Sequence, residues 1–311
     1  MKTRNLIIFA MLATLTVFTS FSEYGMTCQA QETELYPVRV NGKEGYIDAT
    51  GRIVIKPQFD NASFFSENLA VVWIEGKAGY IDNTGKYVIN PQFDSADDFH
   101  EGMAKVGIGD WEHLKFGYID MTGKIVINPQ FDYAYGFSEG LAKVKIGDWE
   151  NGKYGFIDKT GKFVVNPQYD LCSDFSEGLA SVTIGGRKDG WRSAKSYFID
   201  KNGNNFYDFQ FAVTKSFSEG LAFVSYFGGK KGYIDKTGRF VFNLQKDYMF
   251  FDGYFKEGLA TIEYYEVEDG KLDNVKFGFI DKTGRMVINL QFDNAENFSE
   301  GLACVRIGGK Y

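Results

Sequence analysis

The sequence is poor in the residues that most metal sites and nucleophilic active sites require. Its 311 residues include only three cysteines and two histidines. With no Cys-X-X-Cys motif and no Cys/His cluster, a zinc site built from these residues is close to excluded. A serine–histidine–aspartate site is also disfavoured, because His100 replaces a serine of a repeated motif and His113 lies in an insertion. Cys172 and Cys304 are expected to be small buried or half-buried side chains rather than a disulfide.

A long hydrophobic run is also missing. The apolar stretch at residues 6–18 is shorter than the roughly 20 residues that a membrane-spanning helix needs. It follows basic residues and precedes small residues at Cys28 and Ala30, which is typical of a secretory signal peptide cleaved after Ala30. We therefore expect residues 1–30 to be a signal peptide, and the mature protein to be secreted, periplasmic or on the cell surface. A lipid anchor at Cys28 is the weaker alternative, because the residues before it fit an acylation site poorly.

Concentrated positive charge is absent as well. The chain has 34 lysines and arginines against 41 aspartates and glutamates, with a formal net charge of −7. The two signs are evenly mixed along the sequence. We therefore expect no binding of nucleic acid through a basic patch.

Two short motifs recur along the whole chain. Phe-Ser-Glu-Gly-Leu-Ala-X-Val, as in residues 137–144, occurs seven times with small changes. It alternates with Gly-Tyr/Phe-Ile-Asp, which is followed by Thr-Gly or Asn-Gly, an apolar stretch and, in most copies, Pro-Gln-Phe-Asp. The aspartates that end this second motif are Asp48, Asp82, Asp120, Asp158, Asp200, Asp235 and Asp281. Seven such units predict a single repeat domain over residues 31–311.

The unit resembles the WG (KWG) repeat, a bacterial repeat with a Trp-Gly-Tyr-Ile-Asp motif followed by Thr-Gly, Pro-Gln-Phe-Asp and Phe-Ser-Glu-Gly. The resemblance covers essentially all of residues 36–311. One departure is that the tryptophan before the glycine is absent, and its place is taken by Glu44, Ala78, Phe116, Tyr154, Ser196, Lys231 and Phe277. The resemblance implies a repeat architecture, but fold analogy alone supplies no activity.

Each unit has the pattern of three short strands. Residues 141–146 alternate apolar and polar side chains, and residues 155–158 form a second strand before an Asp-Lys-Thr-Gly turn. Residues 162–165 are rich in β-branched and aromatic side chains, and we expect Pro167 to end this third strand because it has no N–H to donate. No segment has helical periodicity over ten residues. The prediction is an all-β tandem repeat of three-stranded antiparallel hairpin units.

Units this small must stack to bury their apolar faces. Both an open solenoid-like array and a closed propeller-like ring would achieve this. The open array is favoured, because propeller blades usually have four strands and the pattern shows three. The last copy of the first strand, near Tyr311, also has no following partner in the sequence.

The glutamate of the Phe-Ser-Glu-Gly motif recurs as Glu67, Glu101, Glu139, Glu177, Glu219, Glu257 and Glu300. A catalytic carboxylate needs one special environment, whereas seven copies indicate a role that every unit requires. We expect the carboxylates to accept backbone hydrogen bonds in the loop, and the following glycine, or Asn68, to adopt a left-handed conformation. The recurring aspartates are likewise expected to form turns rather than a calcium site.

The units differ most in the loop between their first two strands. Trp111, Trp149 and Trp191 lie in these loops in three consecutive units, and stacking would bring them to one edge. A row of indole rings suits a peptide, a protein or a sugar. The alternative is that each indole folds back over its own hairpin. Trp73 lies within a strand and is expected to be packed.

These features favour a secreted, non-enzymatic β-repeat scaffold that binds a protein or another macromolecule, with no metal or cofactor. A carbohydrate-binding module that uses the loop tryptophans is the alternative. A hydrolase with a carboxylate pair between units is a second alternative.

Overall fold

The computed structural model describes residues 34–110, 112–185, 193–227, 229–244, 248–249, 253–268 and 271–308. Residues 35–311 form one compact unit that contains every strand. The described residues form strands, bridges and turns, with no helix among them. No described segment is therefore a helix that is long and apolar enough to cross a bilayer. The proposed signal peptide and Cys28 lie outside the described residues.

The strands of the described residues form eight antiparallel sheets that follow one another along the chain. Sheets 1 to 3 contain β1 (Leu35–Val40), β2 (Lys43–Asp48) and β3 (Ile53–Phe59); β4 (Asn61–Ala62), β5 (Ala70–Ile74), β6 (Lys77–Ile81) and β7 (Tyr87–Phe93); and β8 (Ser95–Ala96), β9 (Met103–Ile108), β10 (Lys115–Asp120) and β11 (Ile125–Phe131). Sheets 4 and 5 contain β12 (Tyr133–Ser138), β13 (Leu141–Ile146), β14 (Lys153–Ile157) and β15 (Phe163–Tyr169); and β16 (Leu171–Cys172), β17 (Ala180–Ile184) and β18 (Lys195–Ile199). Sheets 6 to 8 contain β19 (Val213–Thr214), β20 (Leu221–Ser225), β21 (Lys231–Asp235) and β22 (Phe240–Asn243); β23 (Tyr248–Met249), β24 (Leu259–Glu268), β25 (Lys271–Asp281) and β26 (Met286–Phe292); and β27 (Asn294–Ala295) and β28 (Val305–Arg306).

The predicted all-β repeat is confirmed, with three main strands that pair in the order first, second, third. We call these strands a, b and c; in sheet 2 they are β5, β6 and β7. The structure adds a short outer strand before strand a in sheets 2 to 8, as where Asn61 and Ala62 pair with Trp73 and Val72. Sheet 5 has only isolated bridges where strand c would lie. None of the described sheets closes on itself, which is compatible with the open array; five of them have four strands rather than the three that were expected.

The expectation that Pro167 ends strand c is wrong, because β15 continues through it to Tyr169. The register changes here, with Tyr154 opposite Tyr169 but Phe156 opposite Val165, so Gly155 faces three residues instead of one. Such a bulge has a position at which no N–H is needed, and proline fits there. The bulge also explains the glycine, since a Cβ on Gly155 would lie 2.5 Å from the Val165 oxygen.

An aromatic pair fills each junction between consecutive sheets. The ring of Gly-Tyr/Phe-Ile-Asp in one sheet packs on the phenylalanine of the next Phe-Ser-Glu-Gly motif, as in the fully buried pair Tyr80–Phe99. Ring centroids are 4.8–5.0 Å apart in all seven pairs: Tyr46–Phe65, Tyr80–Phe99, Tyr118–Phe137, Phe156–Phe175, Phe198–Phe217, Tyr233–Phe255 and Phe279–Phe298. The phenylalanine of each Phe-Ser-Glu-Gly motif therefore fills the core between units.

Candidate functional site

The Phe-Ser-Glu-Gly motif ends in a tight two-residue turn. Ser176 and Leu179 pair across it, and both central residues have positive φ, 55° at Glu177 and 87° at Gly178. This is the pattern of a type I′ turn. The predicted left-handed glycine is confirmed, and Asn68 takes the same conformation with φ 68°. All seven glutamates are left-handed too, with φ between 50° and 55°, which the sequence did not predict.

The glutamate carboxylates join consecutive units. Glu139 Oε2 accepts a hydrogen bond of 2.9 Å from Gly178 N, in the same turn of the next unit. The other pairs of this kind are Glu67–Gly102, Glu101–Gly140, Glu177–Gly220, Glu219–Gly258 and Glu257–Gly301. The prediction that these carboxylates accept backbone hydrogen bonds is confirmed, but the donors belong to the following unit rather than to the same loop.

A lysine of the next unit contacts four of these carboxylates. Lys236 Nζ lies 3.0 Å from Glu177 Oε2, and the equivalent pairs are Lys159–Glu101, Lys201–Glu139 and Lys282–Glu219. The pKa of Glu219 is lowered by Lys282 and by the N–H of Gly258. At Glu177 burial opposes ionisation, but the N–H of Gly220 and Lys236 outweigh it and lower the pKa. A carboxylate that stays ionised is poorly suited to act as a general acid at neutral pH.

The aspartate of Pro-Gln-Phe-Asp forms a second connection between units. Asp94 pairs with Lys77 of its own sheet, and its other oxygen accepts a hydrogen bond of 3.0 Å from Gly109 N. Gly109 is the first residue of the a–b loop in the next unit. The same arrangement occurs at Asp60, Asp132, Asp170 and Asp293. Because of Lys77 and this N–H, the pKa of Asp94 is lowered.

The aspartate of Gly-Tyr/Phe-Ile-Asp holds the b–c turn, as predicted. Asp82 Oδ1 accepts hydrogen bonds from the Thr84 hydroxyl at 2.6 Å and from the backbone N–H groups of Thr84 and Lys86. The equivalent bonds, from the Thr50 hydroxyl first, lower the pKa of Asp48 to about 2. Over the described ranges, no three His, Cys, Asp or Glu side chains come together as a possible metal site.

Trp149 is the one loop tryptophan that the structure describes; Trp111 and Trp191 lie outside the described residues. Its ring packs edge-on against Tyr133, with centroids 6.1 Å apart, and lies 5.1 Å from the Lys145 ammonium group. The indole therefore folds toward its own hairpin, yet it remains 67% exposed. Trp73, in β5, is half-buried and packs against the core of sheets 2 and 3, as predicted.

Cys172 is half-buried, as expected, whereas Cys304 is exposed. Neither forms a disulfide. Burial raises the pKa of the Cys172 thiol well above its usual range. Such a thiol stays protonated at neutral pH and is therefore a poor nucleophile.

A second exposed surface was missed by the sequence reasoning. The middle valine of strand c is between 37% and 48% exposed in six sheets, at Val54, Val88, Val126, Val164, Val241 and Val287. Strand c is the last strand of its sheet, so its outer backbone edge has no partner within that sheet. We call these six residues the valine row. The signal in the sequence was the run of consecutive apolar residues, such as Ile125-Val126-Ile127, which indicates apolar side chains on both faces.

Comparison with known proteins agrees with the repeat pattern. The family model "WG containing repeat" matches residues 45–77, 79–110, 116–148, 154–187, 198–230 and 277–311. No curated protein matches the sequence. Among solved structures, the chain is similar to BamB from Moraxella catarrhalis, with 13% identity, a TM-score of 0.40 and coverage of 80% of this chain and 79% of that chain. It is also similar to Kluyveromyces lactis Hsv2, with 10% identity, a TM-score of 0.41 and coverage of 79% and 96%.

Likenesses this distant indicate no function. The family match extends over more than half of the residues and falls on the repeats that form the sheets and their junctions. The chain belongs to the WG containing repeat family.

Proposed function

We propose that this protein is a secreted, non-enzymatic scaffold that binds a protein or another macromolecule along its repeats, and that the valine row is the contact surface. The observation that carries the proposal is the exposure of an apolar side chain at the same position of six sheets. An apolar side chain exposed at the same position of successive units can form a binding surface along a repeat protein.

The row suits an extended polypeptide better than a small ligand. It repeats over sheets 1 to 4, 6 and 7, whereas a small molecule would need a single concave site. Each valine lies on an edge strand whose free N–H and C=O groups can pair with an added strand. Side chains and backbone could therefore contribute to the same contact.

The absence of enzymatic activity is part of the proposal. The recurring carboxylates, which would be the natural candidates for a hydrolase, are engaged by backbone N–H groups and lysines of the neighbouring unit. A carboxylate that already accepts these hydrogen bonds is not available for catalysis, and its recurrence in nearly every unit indicates a structural role. Turnover of glycoside or ester substrates that remains with the protein through purification would contradict this part of the proposal.

The valine row is tested by a triple variant, Val88→Thr, Val126→Thr and Val164→Thr. Threonine keeps the shape and strand propensity of valine but replaces a methyl group by a hydroxyl. The matched control is Asn90→Ser, Asn128→Ser and Asn166→Ser, at exposed positions two residues further along the same strands.

The readout is the set of proteins cross-linked to the purified chain in its native extracellular or periplasmic fraction, quantified by mass spectrometry. We expect one or a few partners to be lost in the valine variant and retained in the asparagine control. Equal recovery of partners with both variants would contradict a role for the valine row.

A carbohydrate-binding module is kept as a second candidate because Trp149 leaves most of its indole in water beside Tyr133. Aromatic faces of this kind stack on sugar rings. If the protein is a carbohydrate-binding module, it should bind a sugar on a glycan array. This binding should disappear in Trp149→Ala and persist in Trp73→Phe. The absence of glycan binding by the wild-type chain would rule out this second candidate function.

Secretion is tested separately from binding. We expect the expressed protein to lie outside the cytoplasm and its N-terminal residue to be Gln31, after cleavage following Ala30. A mature N-terminus at Cys28 carrying lipid would favour the anchored alternative. An uncleaved chain in the cytoplasm would contradict the proposal.

A further inference from the structure

A cavity with both apolar and polar lining residues lies between sheets 5 and 6. Its volume is about 270 Å³, and it is lined by residues that include Ser181, Thr183, Thr214, Lys215, Ser216 and Tyr254. The size is slightly below that of pockets for drug-sized molecules, so the occupant would be small.

One residue that lines the cavity, Ser181, is the smallest side chain found at its position in strand a. This position lies opposite the aromatic residue of Gly-Tyr/Phe-Ile-Asp, as where Ser181 pairs with Phe198. In the seven sheets that have this pair, the position is occupied by Pro37, Val71, Lys105, Lys143, Ser181, Phe223 and Thr261. Lys143 and Phe223, in the sheets on either side, are buried there, whereas serine leaves the space unfilled.

The polar groups of the cavity divide into two sets. The Ser181 and Thr214 hydroxyls are buried and bond to each other at 2.5 Å, so they form a fixed polar wall that can still offer lone pairs. Lys215, Ser216 and Tyr254 are only half-buried. Within the described part of the chain, the Lys215 ammonium group forms no ion pair or hydrogen bond.

A half-buried lysine and several hydroxyl side chains in the lining of one cavity favour an anion with several hydroxyl groups of its own. One cation matches one carboxylate, whereas a phosphate is usually held by several cations or by a set of N–H groups. Hydroxyl side chains donate and accept hydrogen bonds, as sugar hydroxyls do. The Tyr254 ring and Leu171 add apolar surface on which the C–H face of a sugar ring can rest.

The geometry points to a binding site for an acidic monosaccharide, a hexuronate, in the cavity between sheets 5 and 6, with Lys215 pairing with the carboxylate. This site is distinct from the valine row and from Trp149, and it does not depend on the proposed scaffold function. A free hexuronate and the terminal residue of an acidic glycan share the chemistry that the cavity recognises.

The test is calorimetric titration of the full secreted chain with glucuronate, with glucose as the neutral match, and with an oligosaccharide that ends in glucuronate. For a ligand this small, we expect a dissociation constant on the order of 1 mM for glucuronate. Glucose should bind about tenfold more weakly or not at all, because it lacks the carboxylate. Tighter binding of the oligosaccharide would identify a glycan end as the source, and equal binding would identify the free sugar.

Two variants locate the site. Ser181→Phe introduces the side chain that sheet 6 has at the equivalent position, Phe223, and should fill the cavity. We expect it to abolish glucuronate binding without lowering the melting temperature by more than a few degrees. Lys215→Gln should reduce the affinity for glucuronate to that for glucose, while the control Lys56→Gln, at an exposed lysine of β3, changes nothing.

If Ser181→Phe does not fold, Lys215→Gln decides alone, because it removes only a charge at a half-buried position. No heat of binding with glucuronate at 20-fold the expected dissociation constant would overturn the inference. Glucuronate binding that is unchanged in Lys215→Gln would overturn it as well. Neither result would bear on partner binding by the valine row.

Discussion

Replacing Glu177 by alanine should weaken one junction between units by a predictable amount. The change removes the hydrogen bond from Gly220 N, at 3.0 Å, and the contact with Lys236, also at 3.0 Å. A hydrogen bond to a charged group contributes about 1.5–3 kcal/mol, and a half-exposed ion pair adds at most about 1 kcal/mol. Because the carboxylate keeps some contact with water, we expect a loss of about 2 kcal/mol in the free energy of unfolding at pH 7.

Glu300 supplies the matched control. It has the same turn and nearly the same φ, 54°, but among the described residues no following turn donates a hydrogen bond to it. Glu300→Ala should therefore cost less than about 0.5 kcal/mol, as for an ordinary surface substitution. Glu177→Gly should be about 1 kcal/mol more stable than Glu177→Ala, because glycine adopts a φ of 55° without strain.

The assay is urea unfolding followed by far-ultraviolet circular dichroism, with the slope of the transition checked for each variant. The pH dependence provides an independent check. The pKa of Glu177 is lower in the folded state than its usual value, so its contribution is present above that usual value and is lost as the pH falls through the folded pKa. The effect of Glu177→Ala should therefore diminish as the pH falls below the ordinary pKa of a glutamate. Equal losses in Glu177→Ala and Glu300→Ala would refute the role assigned to the carboxylate.

Three further outcomes are expected, the first two from urea unfolding and the third from thermal unfolding followed by circular dichroism. Phe99→Ala should cost about 3 kcal/mol or more, because it empties a fully buried site against Tyr80; a loss below 1 kcal/mol would contradict the junction packing. Gly79→Ala should cost about 3 kcal/mol, since its Cβ would lie 2.6 Å from the Ile89 oxygen, whereas Gly102→Ala has open space and should cost only about 1 kcal/mol from its φ of 78°. The melting temperature should fall steeply below pH 4, where turn aspartates such as Asp82, whose pKa is lowered mainly by Thr84, become protonated; in Asp82→Ala part of this dependence should disappear.

The sequence revealed the repeat, the strand class and the turns because these depend on local residue order. The Asp-X-X-Gly motif forms a turn, as at Asp82, and the alternation of apolar and polar residues predicted β13 as a strand. The same alternation did not predict that Lys143 and Lys145 of this strand are buried. The short outer strands were not predictable, because two residues such as Asn61 and Ala62 carry no periodicity. Their pairing is visible only once strand a is in place.

The position of Pro167 and the conformation of Glu177 were not predictable for a different reason. A proline inside strand c is allowed only because Gly155, in the neighbouring strand, leaves room for the bulge. Glutamate has no preference for positive φ, and the donor that compensates for this conformation is 43 residues away, in the next unit. Of the candidate site, the loop position of Trp149 was predicted correctly, but its contact with Tyr133 and Lys145 depends on side-chain directions that the sequence does not contain.

The connection between Asp94 and Gly109 has a practical consequence for engineering. The Asp94 carboxylate accepts its hydrogen bond from the residue at which the a–b loop leaves the sheet, so this bond requires only the first residue of the loop. The length of this loop varies between the units of the chain: the loop after Ile74 has two residues, whereas the one after Ile146 has six. Foreign peptides inserted after the first residue of the a–b loop should be displayed without disturbing the sheets. Several peptides could be displayed on one chain, one in each loop.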